Sequence, residues 1–480
     1  MGNLAGIARV GAYVPRLRLP RAQIADAVGW MNPAGRAQTN GARTVCNWDE
    51  DALTLAVESA RSCLAGSSGQ KVDVLALAST TLPFADRDNA ALVAGALDLP
   101  EAIHTLNVSS SLRAGTSALT DAARRHEGTS LVIATDARRA QPGSPQELSY
   151  GHGAAAFLVT PETADALAVI LGSAHLSADF VDHYRMSDEE FDYGLEERWV
   201  RDEAQGKLIP RTIEAVLAAT ALEATAITTL VMPGSAAAVQ RVAATSGLSK
   251  AGIANALQAN CGDTGSAHAL LMLATALESA APGDRILVIG FGQGVDALVV
   301  EVRPAILTQR PSAVTAALAR GIEEPNYVRY LAHSRLLDVD FGMRAERDNR
   351  TAQTVAYRKR RAVTAFVGGR CTACGTVQYP PSRVCVNPAC RKTDTQADHR
   401  LADSAGRVKS FTEDWQAYSA RPPYQYGNVE FAEGGNLLME FTDVEPGELA
   451  VNAAVRFVFR IKDVDRLRGF QRYFWKATQV

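Results

Sequence analysis

Apolar runs of strand length alternate with Ala-rich stretches of helical period up to about Val300, a pattern that predicts an α/β architecture of sheets covered by helices. Val74-Leu75-Ala76-Leu77-Ala78 and Leu131-Val132-Ile133-Ala134 read as buried strands; between them a small-residue turn at 107–116 opens into a helix through Ala122–Arg124. The same sequence of elements returns later. Leu230-Val231-Met232 and Ile286-Leu287-Val288-Ile289 flank the turn Asn260-Cys261-Gly262-Asp263-Thr264-Gly265-Ser266 and a long Ala/Leu helix. Leu75 and Leu230, like Val132 and Leu287, lie about 155 positions apart, which predicts an internal duplication into two βαβαβ-type halves. Two unrelated βαβ units of ordinary type are the alternative reading of this pattern.

Beyond Val300 the pattern changes. Residues 306–360 read as helical and linker segments ending in the basic cluster Arg358-Lys359-Arg360-Arg361. Short aromatic strands separated by Gly and Pro turns follow, among them Val408-Lys409-Ser410-Phe411, Leu437-Leu438-Met439-Glu440-Phe441 and Val455-Arg456-Phe457-Val458-Phe459, and predict a small β domain.

Composition narrows the function classes. With 480 residues, 47% apolar and 21% charged, the chain can bury a large core over two or three domains. A formal net charge of -3 supplies no whole-chain basic footprint, which argues against a nucleic-acid partner, although local basic patches can still take anionic small molecules. No apolar run approaches the ~20 residues that span a bilayer, and Met1-Gly2-Asn3-Leu4-Ala5-Gly6 has no basic leader before an apolar segment. No membrane association and a cytoplasmic location are therefore expected.

Seven cysteines, four of them clustered late, argue for reduced thiols and a metal site instead of a disulfide framework. Cys371-Thr372-Ala373-Cys374 and Cys385-Val386-Asn387-Pro388-Ala389-Cys390 form two chelating pairs beside turn-forming residues. Four thiolates at this spacing close a tetrahedron around structural zinc and leave no open coordination position. Iron in a rubredoxin-like site is the alternative metal.

The short motifs carry a resemblance. Gly11-Ala12-Tyr13-Val14-Pro15-Arg16, Asp49-Glu50-Asp51-Ala52-Leu53-Thr54, Ala134-Thr135-Asp136 and Gly153-Ala154-Ala155-Ala156-Phe157 match, in order and spacing, the archaeal-type hydroxymethylglutaryl-CoA synthases, over most of residues 5–305. The ribbon, Gln378-Tyr379-Pro380-Pro381 and the strands from Val408 to Trp475 resemble the acyl-CoA-associated family that pairs a zinc ribbon with an OB-fold, usually as a separate subunit beside thiolase-like enzymes. The resemblance implies a duplicated thiolase fold with halves at 1–165 and 166–305. A helical linker at 306–365, a zinc ribbon at 366–400 and a small β-barrel OB-fold at 401–480 follow. It also implies an acyl-CoA substrate, at least a homodimer, and a possible thiolase partner.

The positions that carry chemistry in the synthases differ here. Asn107-Val108-Ser109-Ser110-Ser111-Leu112-Arg113-Ala114-Gly115-Thr116 resembles their nucleophile turn, with Leu112 at the cysteine position. Thr80, in Ala78-Ser79-Thr80-Thr81, stands where they place an acid/base glutamate. Val231-Met232-Pro233-Gly234-Ser235 lacks their histidine, and Asp263 replaces the asparagine of their Gly-Asn-Thr motif. A condensation through an acyl-enzyme needs a nucleophile that leucine cannot supply. A retro-aldol cleavage of a β-hydroxyacyl-CoA needs only a base for the β-hydroxyl and donors for the departing thioester enolate. The resemblance to thiolase-like retro-aldolases with OB-fold partners implies the same chemistry. An acyl-CoA condensing acyltransferase and a noncatalytic CoA-binding scaffold are the alternatives.

The candidate acid/base groups are His183 in Asp182-His183-Tyr184-Arg185, His268 at a helix start, Asp263 and Tyr150, with Cys261 as a replacement thiol. Each has a structural counter-reading. His183 can be an ordinary surface histidine, His268 a packed one, Asp263 a helix cap, and Cys261 an inert buried thiol. His152 on its glycine-flanked turn fits a backbone-fixing role as well as a catalytic one, and Ser109, Ser110 and Ser111 fit turn and cap roles. Thr80, Ser111, Leu112, Arg185, Trp199, Arg201 and Arg360 are the candidate contacts to substrate and CoA, with Arg370 and Arg383 as further phosphate contacts.

Overall fold

The computed structural model describes residues 5–31, 39–66, 70–109 and 111–480. Met1–Leu4, on which the reading of the chain start rests, and Ser110 lie outside them. Two compact units emerge. The first comprises residues 1–47, 51–91 and 101–337; the second comprises 48–50, 92–100 and 338–480.

Ten strands of the first unit form one sheet: β1 (Ala5–Tyr13), β2 (Val74–Ala78), β3 (His104–Val108), β4 (Ser130–Ala137), β5 (His152–Thr160), β6 (Ala168–Ser177), β7 (Thr229–Val231), β8 (Gly252–Ile253), β9 (Arg285–Phe291) and β10 (Gly294–Val302). Their spatial order is β8-β7-β9-β10-β6-β1-β5-β4-β2-β3. Read outward from the centre, the two sets of five have identical order, so the repeat in sequence is a repeat in topology. The join is made by β1 and β6, where Ala5, Gly6 and Ile7 pair antiparallel with Ile170, Val169 and Ala168.

The helices pair off in the same way. Helix α1 (Ala52–Leu64) begins at a capping box in which the Asp51 side chain accepts from the Thr54 backbone N–H and the Thr54 side chain accepts from that of Asp51. Its counterpart in the second half is α3 (Ile209–Thr220). Helix α2 (Ala114–Arg124) corresponds to α4 (His268–Ser279), which is apolar along most of its length and buries Leu270, Leu271, Leu273 and Leu277. Each such side chain contributes ~1.5–3 kcal/mol by burial, and α4 thereby anchors the largest core cluster. Closeness between the halves depends on Gly115: a Cβ there would lie 2.4 Å from the Ser266 carbonyl oxygen.

In the second unit, strands Val367–Cys371, Val377–Gln378 and Gln396–Arg400 form a three-stranded ribbon. Beyond it, β11 (Gly406–Asp414), β12 (Tyr424–Phe431), β13 (Asn436–Glu440), β14 (Ala454–Asp465) and β15 (Phe470–Gln479) assemble in the order β13-β12-β11-β14-β15. A bridge between Phe441 and Ala477 links the end of β13 to β15 and closes the sheet on itself. Phe366 is the hub of its aromatic core, with the rings of Tyr379, Phe457, Phe474 and Trp475 at 5.2–6.1 Å.

This unit also buries charge. Lys476 reaches Asp49 at 2.9 Å and Glu440 at 3.3 Å, and Arg460 reaches Asp443 at 2.9 Å and Glu50 at 3.0 Å. Burial pushes the Glu440 carboxyl up, but Lys476 and Lys462 outweigh it and hold it down at about 2.

Candidate active site

The turn before α2 is built against the tip of the β9–β10 hairpin. Ser111 Oγ donates to the Gly292 carbonyl at 2.7 Å, and a Cβ on Gly292 would lie 2.9 Å from the Leu112 nitrogen, so only glycine lets the two segments meet. Ser111 therefore ties the turn down. Arg113 donates to the Gly292 carbonyl and to Asp296, a fully buried carboxylate on β10 that also accepts from Thr116 and Ser117 and contacts His175 at 2.9 Å. Leu112, half-buried at the centre of this arrangement, offers neither nucleophile nor proton.

Asp136, at the end of β4, organises the second piece. It is fully buried and accepts from Ser79 Oγ (2.9 Å), Thr80 N (2.8 Å), Thr80 Oγ1 (3.1 Å), Thr81 Oγ1 (2.8 Å) and Ser266 N (2.7 Å). These bonds connect the turn after β2 to the start of the second-half helix. The Thr80 hydroxyl is committed to Asp136.

Beside Thr80 opens a cavity of about 510 Å³, lined by Thr80, Thr81, Leu82, Ala137, Arg138, Arg139, Arg185, Asp192 and Arg335 among others. Its most buried charge is Arg138. The guanidinium sits 3.5 Å over the centre of the Tyr150 ring, 2.7 Å from Asp192 and 3.8 Å from Asp263. Tyr150 donates its hydroxyl to Asp192 at 3.1 Å, and Arg185 approaches Asp192 at 3.4 Å while donating to the Thr80 carbonyl at 2.9 Å. Burial pushes the Asp192 carboxyl up, but Arg138 prevails and holds it below the ordinary carboxylate range. Burial, with the Asp192 charge beside it, raises the Tyr150 hydroxyl well above the ordinary tyrosine value despite Arg138, so it keeps its proton at neutral pH.

The predicted acid/base groups separate into two sets. His183, Tyr150 and Asp263 gather around Arg138 and Asp192. His183 places Nδ1 3.0 Å from Asp182 and lies close enough to Asp192 for its charge to be felt there. Asp263 accepts from the Gly265 N–H at 2.8 Å, the bond of a residue stabilising the turn into α4. His268 and Cys261 are wholly buried. The His268 Nδ1 is occupied by Thr264, and burial lowers the affinity of the ring for a proton. The Cys261 thiol is pushed up to about 12 by burial. His152 fixes backbone: its Nδ1 accepts from the Cys46 N–H at 2.9 Å, its Nε2 faces the Arg138 carbonyl at 3.0 Å, and burial lowers it to about 3.

Of the predicted substrate contacts, Thr80 and Arg185 line the cavity, whereas Ser111, Leu112, Trp199, Arg201 and Arg360 do not. Trp199 stacks on Phe180 at 5.4 Å, Arg201 pairs with Asp202 at 2.9 Å, and the Arg360 guanidinium covers the Tyr357 ring within the second unit. Sequence reasoning passed over Arg138, Asp192 and the Asp296–His175 pair. Asp136 was visible as part of Ala134-Thr135-Asp136, without a signal that five donors converge on it.

The architecture has solved counterparts. MvaS in complex with 3-hydroxy-3-methylglutaryl coenzyme A superposes with a TM-score of 0.59 at 20% identity, covering 71% of this chain and 93% of that one. Xanthomonas campestris OleA, solved with lauric acid and lauroyl-CoA, gives 0.54 at 19% identity, covering 63% and 100%. Sequence similarity spans the same region. The hydroxymethylglutaryl-CoA synthase of Aeropyrum pernix is 29% identical over 354 residues, 71% of this chain and 93% of the relative. That of Thermococcus gammatolerans is 27% identical over 342 residues, 69% and 95%. The first unit is a thiolase fold related to the hydroxymethylglutaryl-CoA synthases. Residues 358–396 match the ChsH2 rubredoxin-like zinc ribbon domain and 399–460 the ChsH2 C-terminal OB-fold domain. The thiolase-like chain thus carries both accessory modules in one polypeptide.

The ribbon gathers its cysteines as a metal requires. The sulfurs of Cys371, Cys374, Cys385 and Cys390 all lie within 4.8 Å of one another, with Cys371 and Cys390 at 3.9 Å and Cys374 and Cys385 at 3.6 Å. Zn–S bonds of about 2.3 Å in a tetrahedron place sulfurs roughly 3.8 Å apart. The donor set fits structural zinc. Among the described residues no helix is long and apolar enough to cross a membrane.

Proposed function

We propose that the thiolase-like unit is an acyl-CoA carbon–carbon lyase, cleaving a β-hydroxyacyl-CoA by retro-aldol chemistry to a shorter acyl-CoA and a ketone or aldehyde. One observation carries this reading: among the described residues the cavity is lined by arginines and carboxylates and by no thiol, and its wall residue Asp192 accepts from Tyr150, which like His183 stands outside the lining. The nearby turn carries Leu112, and Cys261 is buried with its thiol held protonated. His183 takes the β-hydroxyl proton, the Cα–Cβ bond breaks, and its electron pair passes into the thioester as an enolate. Arg138 and Arg185 supply positive charge for the developing oxyanion, and Tyr150, whose ring lies under Arg138, is the proton donor. Thr80 fixes the cavity wall through Asp136, and Trp199 and Arg201 are assigned to the CoA portion. The solved counterparts that hold 3-hydroxy-3-methylglutaryl coenzyme A and lauroyl-CoA support a CoA thioester as the substrate class. The half-exposed edge strand β3 supports a homodimer, since an uncovered edge invites pairing.

A second reading has comparable support. The synthase relatives align over more than nine-tenths of their length, which favours an acyl-CoA condensing transferase of that kind. Incubating the full chain with a panel of β-hydroxyacyl-CoA and acyl-CoA thioesters separates the two. The lyase yields a shortened acyl-CoA and a carbonyl product, abolished in His183→Ala; the transferase yields a longer acyl-CoA and free CoA. No turnover by the chain alone, with activity only beside a co-purified thiolase, would establish a scaffold instead.

A further inference from the structure

His183 is held from several directions before its ring is considered. It pairs with Gly194 in a two-residue ladder, the Leu195 N–H donates to the Asp182 carbonyl at 3.0 Å, and the Gln293 side-chain amide donates to the His183 carbonyl at 3.1 Å. The ring is then fixed by its neighbour. Asp182 Oδ2 lies 3.0 Å from His183 Nδ1, while Asp182 Oδ1 is buried without a hydrogen-bond partner. The imidazole is thus the one hydrogen-bond partner of this carboxylate among the described residues. Burying a carboxylate for a single bond costs free energy that a purely structural residue would avoid. The Nε2 of His183 has no partner among the described residues, and the side chain is 19% exposed, so that nitrogen can be reached.

Resting on the lyase reading above, we infer that Asp182 is a positioning residue that accepts the His183 Nδ1–H and thereby leaves Nε2 as the proton-accepting nitrogen. An imidazole has two tautomers, and only the one protonated on Nδ1 presents a base at Nε2. The step balances without a redox partner. Nε2 takes the hydroxyl proton, the carbonyl product leaves with its new C=O bond, and a proton returned to the enolate α-carbon completes the shorter acyl-CoA. The charged groups facing His183 are Asp182 and Asp192, the latter carrying Arg138, Arg185 and the Tyr150 hydroxyl.

The test is nitrogen NMR of the full chain labelled with ¹⁵N-histidine, in wild type, Asp182→Asn and Asp182→Glu, together with kinetics on any thioester the wild type cleaves. The wild-type ring should be protonated on Nδ1 and bare on Nε2. Asp182→Asn, whose amide can donate to Nδ1, should move the proton to Nε2 and lower kcat at least ~100-fold with KM little changed. Asp182→Glu should restore the tautomer and most of kcat, with circular dichroism checking that each variant folds. A wild-type ring protonated on Nε2, or an Asp182→Asn ring unchanged from wild type, overturns the inference whether or not a thioester is cleaved. The expected tautomers without any cleavage would uphold the Asp182–His183 pairing and overturn the lyase reading.

Discussion

Replacing Arg138 by methionine removes the one guanidinium among the described residues that contacts Asp192, Asp263 and Tyr150 together. At 2.7 Å and an effective dielectric near 20, the Arg138–Asp192 attraction has an upper limit of ~6 kcal/mol. Desolvation offsets part of it, since the two side chains are 4% and 14% exposed. Breaking such a pair from one side costs about 3–5 kcal/mol, because the remaining charge is left in the interior. Arg138→Met should therefore be strongly destabilising, and Arg138→Met/Asp192→Asn should recover part of the loss, with a coupling of ~2–3 kcal/mol. The pH dependence has a definite sign. Arg138 depresses Asp192 in the folded protein, so its contribution is present above the unfolded carboxylate value near ~3.9 and lost as pH falls through the lower folded value. Without Arg138, burial of Asp192 is opposed, among the described residues, only by His183, Tyr150 and Arg185, so less of that contribution remains as the carboxylate ionises. The gap between wild type and Arg138→Met should widen from pH 4 to pH 7 in denaturant unfolding of the first unit, read by proteolysis or hydrogen exchange. Additive single-mutant losses, or a gap that does not depend on pH, would refute this account of the site.

Cys261 should be chemically silent: with its thiol near 12, only ~10⁻⁴ of it is thiolate at pH 8. Mass spectrometry after iodoacetamide should find it unmodified in the native protein, and Cys261→Ser should retain activity. Lys476→Met removes the one ammonium shared by Asp49 and Glu440 among the described residues, leaving Glu440 to Lys462 and Asp49 to the more distant Arg460, and should destabilise the second unit by about 3–5 kcal/mol, whereas Lys476→Met/Asp49→Asn should cost less; limited proteolysis checks both. Metal analysis should return about one zinc per chain, and Cys385→Ser should lose it and expose the ribbon to protease.

Periodicity made the fold legible because burial acts locally on it. Apolar runs at 74–78, 131–134, 230–232 and 286–289 are strands of one sheet, and their constant spacing in sequence reflects two sets of five strands in the same order. The cysteine pairs were legible for a related reason, since chelation fixes short spacings. The site was less so. Arg138 is one of two consecutive arginines in a polar stretch, and nothing local says that its guanidinium is buried on Tyr150 while Arg139 meets Glu190 at the surface. Asp192 lies among Asp188, Glu189 and Glu190, and only the fold selects which carboxylate faces Arg138. Asp49-Glu50-Asp51 read as one motif, yet Asp49 and Glu50 join the buried charges of the second unit while Asp51 caps α1 in the first. Long-range partners decide each of these roles, and no window of sequence contains both partners.

Carbon–carbon chemistry without an acyl-enzyme is open to intact-protein mass spectrometry on quenched turnover mixtures. The protein should keep its unmodified mass while a shortened acyl-CoA and a carbonyl product accumulate in the same samples. A stable acyl adduct, mapped to Cys261 or to any other residue, would contradict it and establish transferase chemistry.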